Sequence, residues 1–185
     1  MVINKASQNS LKKAVKLLQD KNIIIAPGDT IYGILGAFPY TEASIRTLKG
    51  RDEQKPFIVL AQSAAAAADI CGGRIDTELA GYWPAPLTLI LPMSSGGSIG
   101  IRVPNDPFLL NLLQETGLPL YSTSVNRSGK QPMSHIDRII REFEGDVALI
   151  IDGGDMPRRE ASTIIDARKK PYTILRQGSL RVPLE

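Results

Sequence analysis

The sequence predicts an α/β fold in a single domain that spans residues 1–185. Segments with helical periodicity alternate with short apolar runs along the chain, as in a sheet flanked by helices. The last apolar runs are short and closely spaced, which favours a mixed sheet. We find no internal repeat and no linker, and 185 residues are enough to bury a core.

The first half of the chain predicts four helices separated by apolar strands. In the first helix, Leu11, Val15 and Leu18 share one face and the lysines lie elsewhere. The segment after the first strand contains glycines, which suggest a close approach of the backbone to a ligand or another element. The predicted elements are helix 7–22, strand 23–26, the glycine-containing segment 27–36, helix 42–48, strand 57–61, helix 63–70 and a short helix 76–82.

The second half predicts more strands than helices. A polar loop, 152–160, precedes the last two strands, and a turn at 169–171 separates them. The predicted elements are strand 87–91, strand 99–104, helix 107–116, strand 118–121, helix 136–143, strand 147–151, strand 162–166 and strand 172–176.

Composition excludes several classes of function. With one cysteine, Cys71, and one histidine, His135, a zinc site, a disulfide framework and a Ser-His-Asp triad are improbable. Aromatic residues make up only 5%, which argues against a base-stacking platform with several exposed rings. The net charge of +3 is compatible with phosphate-bearing ligands or RNA. No long apolar run is present, so we expect a cytoplasmic protein without a membrane span.

Three cations follow the fourth predicted element within seven residues. Lys49, Arg51 and Lys55 lie in a loop between a helix and a strand, with Gly50 freeing the backbone and Pro56 closing the loop. Such a loop can direct several positive charges at one polyphosphate. Taken alone, a solvated basic loop is the simpler interpretation.

Other polar residues also follow or interrupt apolar segments. Arg102 stands between two apolar residues of a strand, where it needs a partner or a polar cavity. Hydroxyl groups and Asn126 crowd the loop 122–129, and Arg176 ends the last strand. Ligands of α/β sheets gather outside strand ends, so these residues could converge on one cleft. The phosphate-binding glycine patterns of P-loop and Rossmann proteins are absent from the sequence.

Seven short motifs resemble, in order, those of the YrdC-like family. They cover residues 27–178 and are Pro27-Gly28-Asp29-Thr30-Ile31-Tyr32-Gly33, Lys49-Gly50-Arg51, Trp83-Pro84-Ala85-Pro86-Leu87-Thr88, Arg102-Val103-Pro104, Ser124-Val125-Asn126-Arg127-Ser128-Gly129, Ser162-Thr163 with Asp166, and Leu175-Arg176-Gln177-Gly178. The second domain of longer members is not in this sequence, which resembles the short, single-domain form.

The resemblance implies a fold and an activity. The family fold is a twisted, open, mostly parallel α/β sheet with flanking helices and a large basic cavity. Characterised members are threonylcarbamoyl-AMP synthases, which are nucleotidyltransferases. They join L-threonine, bicarbonate or CO₂ and ATP into threonylcarbamoyl-adenylate and release pyrophosphate. The product serves the t6A modification of tRNA at position 37, through a separate threonylcarbamoyl-transferring complex.

By the same resemblance, individual residues acquire expected roles. Mg²⁺ would be held mainly by the phosphates and water. No protein nucleophile is required, so Lys49 and Arg51 are expected to act on the triphosphate as electrostatic clamps. The expected ATP-binding residues are Lys49, Arg51, Lys55, Ser124, Asn126 and Arg176, and the expected threonine-binding residues are Thr30, Tyr32, Arg102, Ser122 and Ser162.

A second class of function stays open from the sequence. The same basic cavity could serve an RNA-binding or ribosome-associated factor that recognises tRNA or double-stranded RNA. Low aromatic content and motifs that fall in apolar surroundings favour the enzyme. Salt-sensitive RNA binding without ATP would favour the alternative.

Overall fold

The computed structural model describes residues 1–51, 56–157 and 159–184. These residues contain ten strands and six helices. In chain order they are β1 Val2–Asn4, α1 Ser10–Gln19, β2 Ile24–Ala26, β3 Gly33–Ala37, α2 Glu42–Lys49, β4 Ile58–Leu60, α3 Ala64–Cys71, α4 Thr77–Ala80, β5 Leu87–Pro92, β6 Ser98–Arg102, α5 Pro107–Thr116, β7 Leu120–Ser124, α6 Ile136–Phe143, β8 Leu149–Asp152, β9 Thr163–Asp166 and β10 Thr173–Arg176.

The strands form one mixed sheet in the order β1-β8-β2-β3-β7-β4-β6-β5-β9-β10. Flanking helices and a single mixed sheet confirm the α/β class. The sheet is less parallel than expected, because four of the strand pairs in the described chain are parallel and five are antiparallel. The consecutive pairs β2–β3, β5–β6 and β9–β10 are joined without a crossover helix, and such strands pair antiparallel.

Three strands differ from the sequence prediction. Strand β1 was not predicted, because three residues are too few to show a period, and it pairs with β8. Strand β3 begins in the glycine-containing segment, which was not assigned as a strand, and pairs with β2 and β7. Strand β7 continues through Ser124 where a loop was expected, because its hydroxyl residues pair with β3 as far as Gly33 opposite Ser124. Ser122 and Ser124 therefore lie on the same face of the sheet, since strand side chains alternate.

One face of the sheet is covered by α2, α3 and α6. Ile45 of α2 and Ile139 and Phe143 of α6 are fully buried, and they belong to the same apolar cluster as Val59 of β4 and Ile101 of β6. Helical spacing places Ile139 and Phe143 on the same side of α6, facing the strands. This face contains the larger part of the core.

The opposite face is covered only in part. Helices α1 and α5 pack there against residues of β2, β3, β4, β7 and β8. Within the described part of the chain, that cluster takes no residue from β5, β6 or β9. The sheet surface beyond α1 and α5 is therefore left open to a ligand. In the residues that the structure describes, no helix has the length and apolar character needed to cross a membrane.

Candidate active site

A cavity of about 390 Å³ lies on this open surface. Its floor is made by side chains of the central strands, and its rim by loops and strand ends. In the described chain, three arginines and no carboxylate line it. The lining includes Thr30, Tyr32, Gly33, Arg51, Ile58, Ile90, Gly100, Arg102, Ser122, Ser124, Ser162, Ile164, Leu175 and Arg176.

Arg102 enters the cavity from the end of β6 and is 7% exposed. Its guanidinium pairs with the carboxylate of Asp29, and its Nη1 donates to the Thr30 hydroxyl at 3.1 Å. The other Asp29 oxygen accepts from the backbone amide of Asn105 at 2.9 Å. The Nε of Arg102 is buried without a hydrogen-bond partner in the described structure. A buried donor without a partner is costly to the folded state.

Arg176 also lines the cavity, and Ser162 positions it. Its Nε and Nη2 donate to the Ser162 carbonyl oxygen at 3.0 and 2.8 Å, and Nη2 also contacts the Ser162 hydroxyl at 3.2 Å. That hydroxyl shares a hydrogen bond of 2.9 Å with the buried Thr88. Burial, and then the charge of Arg102, lowers the pKa of Arg176. The two arginines therefore face the same space and lower the cost of binding an anion there.

Arg51 directly follows the C-cap of α2, and its side chain lines the cavity. Gly50 ends α2 with φ of 60°, a left-handed conformation that glycine adopts without strain, and this turns the chain toward the cavity. The Arg51 guanidinium donates to the Pro56 carbonyl at 3.1 Å and lies over the Phe57 ring at 5.0 Å. Burial, and then the charge of Arg46, lowers the pKa of Arg51.

Lys49, the last residue of α2, does not line the cavity and is 2% exposed. Its ammonium group donates to the Ser124 carbonyl at 2.6 Å, the Asn126 carbonyl at 2.8 Å and the Asn126 Oδ1 at 2.9 Å. Asn126 Oδ1 also accepts from the Ser124 hydroxyl at 2.6 Å. Burial, and then the charge of Arg51, lowers the pKa of Lys49 to about 8. Lys49 thus uses all three of its donors to hold the loop that follows β7.

Tyr32 connects the cavity wall to the loop after β8. Its hydroxyl donates to the Gly154 carbonyl at 2.8 Å and accepts from the Gly153 amide at 2.9 Å. The side chain is fully buried, and burial is the main cause that raises its pKa. The ring therefore forms part of the cavity wall, while the hydroxyl is hydrogen-bonded to backbone groups.

The structure gathers most of the residues expected from the sequence. Lys49 and Asn126 do not belong to the described lining but contact Ser124, which does, and Lys55 lies outside the described residues. The expected residues that line the cavity are Thr30, Tyr32, Arg51, Arg102, Ser122, Ser124, Ser162 and Arg176.

The floor was not recognised from the sequence. Ile58, Ile90 and Ile164 supply apolar surface, and Gly100 leaves space between them. A Cβ at Gly100 would meet Ile90 Cδ1 at 3.2 Å. The signal was a glycine within a strand, typical of close approach by a ligand. Without the strand register, this glycine did not show which face of the sheet carries the cavity.

The two reactive residue types of the sequence lie away from the cavity. His135 precedes α6 and contacts Asp155 at 2.8 Å, and Cys71 is buried at the end of α3. Neither belongs to the described lining. In the part of the chain that the structure describes, no group of three or more His, Cys, Asp or Glu residues could hold a metal ion. The charged groups in the described lining are arginines, which suit an anionic ligand.

The chain is thus an α/β protein with an arginine-lined cavity on one open face of its sheet. The Sua5, YciO and YrdC family model, whose description reads "Telomere recombination", matches residues 16–178. The chain belongs to this family.

Relatives in the family share sequence and structure with the chain. The threonylcarbamoyl-AMP synthase of Bacillus subtilis is 29% identical, over 92% of this chain and 54% of the relative. The Vibrio vulnificus synthase is 28% identical, over 92% of this chain and 99% of the relative. A crystal structure of Pyrococcus abyssi Sua5 complexed with L-threonine superposes with a TM-score of 0.87 and 26% identity, over 97% of this chain and 58% of that one. The chain thus spans about half the length of the Bacillus and Pyrococcus proteins.

Proposed function

We propose that this protein is an L-threonylcarbamoyladenylate synthase, a nucleotidyltransferase that uses L-threonine, bicarbonate or CO₂ and ATP. The observation that carries the proposal is the convergence of Arg51, Arg102 and Arg176 on one cavity without a carboxylate in its described lining. The synthases among its relatives and the threonine complex of Pyrococcus abyssi Sua5 support this choice of substrates.

ATP is proposed to lie across the cavity floor. Ile58, Ile90 and Gly100 offer a flat apolar surface to the base. Arg51 and Ser124 are placed to hold the phosphates, and Arg176 faces them from the other rim.

Three further residues are assigned to the ATP site, two from their contacts in the structure and one from the family resemblance. Lys49 and Asn126 hold the loop below Ser124, and the Lys49 ammonium adds positive charge beneath the phosphates. Lys55 is proposed as a phosphate contact from the family resemblance alone, since it lies outside the described residues.

L-Threonine is proposed to bind beside Arg102. Arg102 lines the cavity, and a guanidinium is a natural partner for the carboxylate of an amino acid. Thr30, Ser122 and Ser162 place hydroxyl groups in the same lining, and the Tyr32 ring forms the adjacent wall. The Asp29 carboxylate already holds the Nη2 side of Arg102, which fixes its orientation.

Mg²⁺ is proposed to accompany ATP. The described lining offers hydroxyls and guanidinium groups but no carboxylate, which fits an ion held mainly by phosphates and water. The bound ion would neutralise charge on the triphosphate. The residues of the chain would contribute to catalysis by orienting the two substrates and excluding water.

The proposed reaction needs positioning and charge stabilisation but no protein nucleophile. The threonine amine and bicarbonate first give a carbamate with loss of water. A carbamate oxygen then attacks the α-phosphorus of ATP, the bond to the bridging oxygen breaks, and pyrophosphate leaves. Arg51 would stabilise the charge that develops on the leaving group. The product would pass to a separate tRNA-modifying complex.

Pyrophosphate release tests the proposal. The protein is incubated with ATP and Mg²⁺, and threonine and bicarbonate are added together or omitted singly. We expect release only with both present. Release that ignores both additions, or no release, would refute the proposed function. Salt-sensitive binding of tRNA or double-stranded RNA without ATP would then favour the RNA-binding alternative.

A further inference from the structure

The cavity is bordered by two segments that lie far apart in sequence. One is the end of α2, with Lys49 as its last residue and Arg51 just beyond it, and the other is the end of β7 at Ser124 with the following loop, which carries Asn126. Their relative position decides whether Arg51 and Ser124 can reach the same phosphates. A displacement of about 1 Å is enough to weaken such an arrangement strongly.

Arg127 joins these two segments from outside the cavity. It follows Asn126 directly, and its Nη1 donates to the Leu48 carbonyl near the end of α2. The adjacent amide of Ser128 donates to the Lys49 carbonyl at 2.7 Å. The loop thus provides donors to two consecutive carbonyls at the helix end, which lack partners within the helix.

The remaining donors of Arg127 are fixed by the region around α6. Its Nε donates to the Glu142 carboxylate at 2.9 Å, and its Nη2 donates to the Asp146 carboxylate at 2.6 Å. The guanidinium also lies over the Phe143 ring at 4.7 Å. Phe143 is fully buried, so the guanidinium lies at the edge of the core, while its two carboxylate partners are on the surface. Lysine could not reproduce such a fork, because it presents its charge at a single point.

We propose that Arg127 is a positioning residue for the phosphate-binding part of the site. It holds the loop after β7 against the end of α2, and so sets the distance between Ser124 and Arg51. Arg127 does not line the cavity, so it acts through these residues. The inference rests on the proposed function in taking ATP as the ligand.

The expected effect is selective. The side chains proposed for threonine, Thr30, Arg102 and Ser162, have no recorded contact with Arg127 in the described structure. Loss of Arg127 should therefore weaken the binding of ATP and leave the binding of L-threonine unchanged. A general loss of structure would weaken the binding of both ligands.

Calorimetric titration of MgATP, inorganic pyrophosphate and L-threonine tests the inference on Arg127→Met and Arg127→Lys. Arg141→Met is the matched control, since Arg141 is an exposed arginine of α6 that bonds to Asp137 within its own helix. We expect the Kd for MgATP and pyrophosphate to rise about tenfold in Arg127→Met, as for loss of hydrogen bonds to a charged group. We expect an intermediate rise in Arg127→Lys and none in the control.

Two results would overturn the inference. One is an unchanged Kd for MgATP in folded Arg127→Met, or in Arg127→Lys if the first variant does not fold. The other is an equal loss of affinity for MgATP and L-threonine. The titrations measure binding and do not require turnover. A wild-type protein that binds MgATP but releases no pyrophosphate would refute the proposed function, and the Kd values of the variants could still be compared.

Discussion

Replacing the buried Lys49 by methionine probes the support of the phosphate site. The change keeps the length of the side chain but removes three hydrogen bonds to the loop after β7. Asn126 Oδ1 keeps the Ser124 hydroxyl as a donor. The Ser124 and Asn126 carbonyl oxygens each lose the Lys49 donor.

The size of the effect follows from two opposing contributions. A buried acceptor without a partner costs about 1–3 kcal/mol, and two carbonyls are affected. Removing a buried charge returns several kcal/mol of desolvation cost, which offsets part of that loss. We expect a net loss of about 2 kcal/mol in the free energy of unfolding, on these combined magnitudes. For a chain of 185 residues this lowers the Tm by about 4–8 °C.

Thermal unfolding and pyrophosphate release would be measured on the same preparations. Lys16→Met is the control, because the Lys16 side chain is 78% exposed and pairs with Asp20 on the surface. We expect Lys49→Met to lose turnover at temperatures where it is folded, and the control to behave as wild type. A Lys49→Met protein with wild-type Tm and turnover would show that the loop does not depend on this lysine.

Three further predictions concern pH and the two substrates. Turnover should fall as the pH rises through about 8, where Lys49 loses its charge in the folded protein. The free energy of unfolding should rise between pH 8 and 10.5, the ordinary pKa of lysine, because there the unfolded chain still binds the proton that the folded chain has lost. Turnover assays and denaturant titrations across this range check both signs, and a fall of the free energy of unfolding together with turnover would contradict them. Arg102→Lys should raise the KM for L-threonine about tenfold with a smaller change for ATP, since a lysine lacks the fork for a carboxylate; an unchanged threonine KM would remove Arg102 from that role. Gly100→Val should raise the KM for ATP by about tenfold by filling the floor beside Ile90, whereas equal KM values would place the base elsewhere.

Much of the fold could be predicted because its elements carry clear periodicity. The apolar face of α2 and the apolar runs of the central strands predicted their own elements, and the short late strands favoured the mixed sheet. Strand β1 and the end of β7 could not be predicted. Both are set by pairing with strands distant in sequence, β8 and β3, and no local pattern records such pairing.

The site was predictable as a set of residue types but not as a geometry. Arg102 was singled out because a charged residue in an apolar strand needs a partner, and the structure supplies Asp29 and Thr30. Lys49 looked like a solvent-exposed cation, and its burial under the loop depends on a contact across 75 residues. The apolar floor became visible only when the register brought Ile58 next to Gly100.

The central claim is that threonine, bicarbonate and ATP are joined in this cavity. Its most direct test is mass spectrometry of the products formed from ATP, L-threonine and ¹³C-labelled bicarbonate. We predict an adenylate that contains threonine and one ¹³C atom, formed in equal amount to pyrophosphate and absent from Arg51→Ala. An adenylate without the label, or no adenylate while ATP and threonine are bound, would contradict the account.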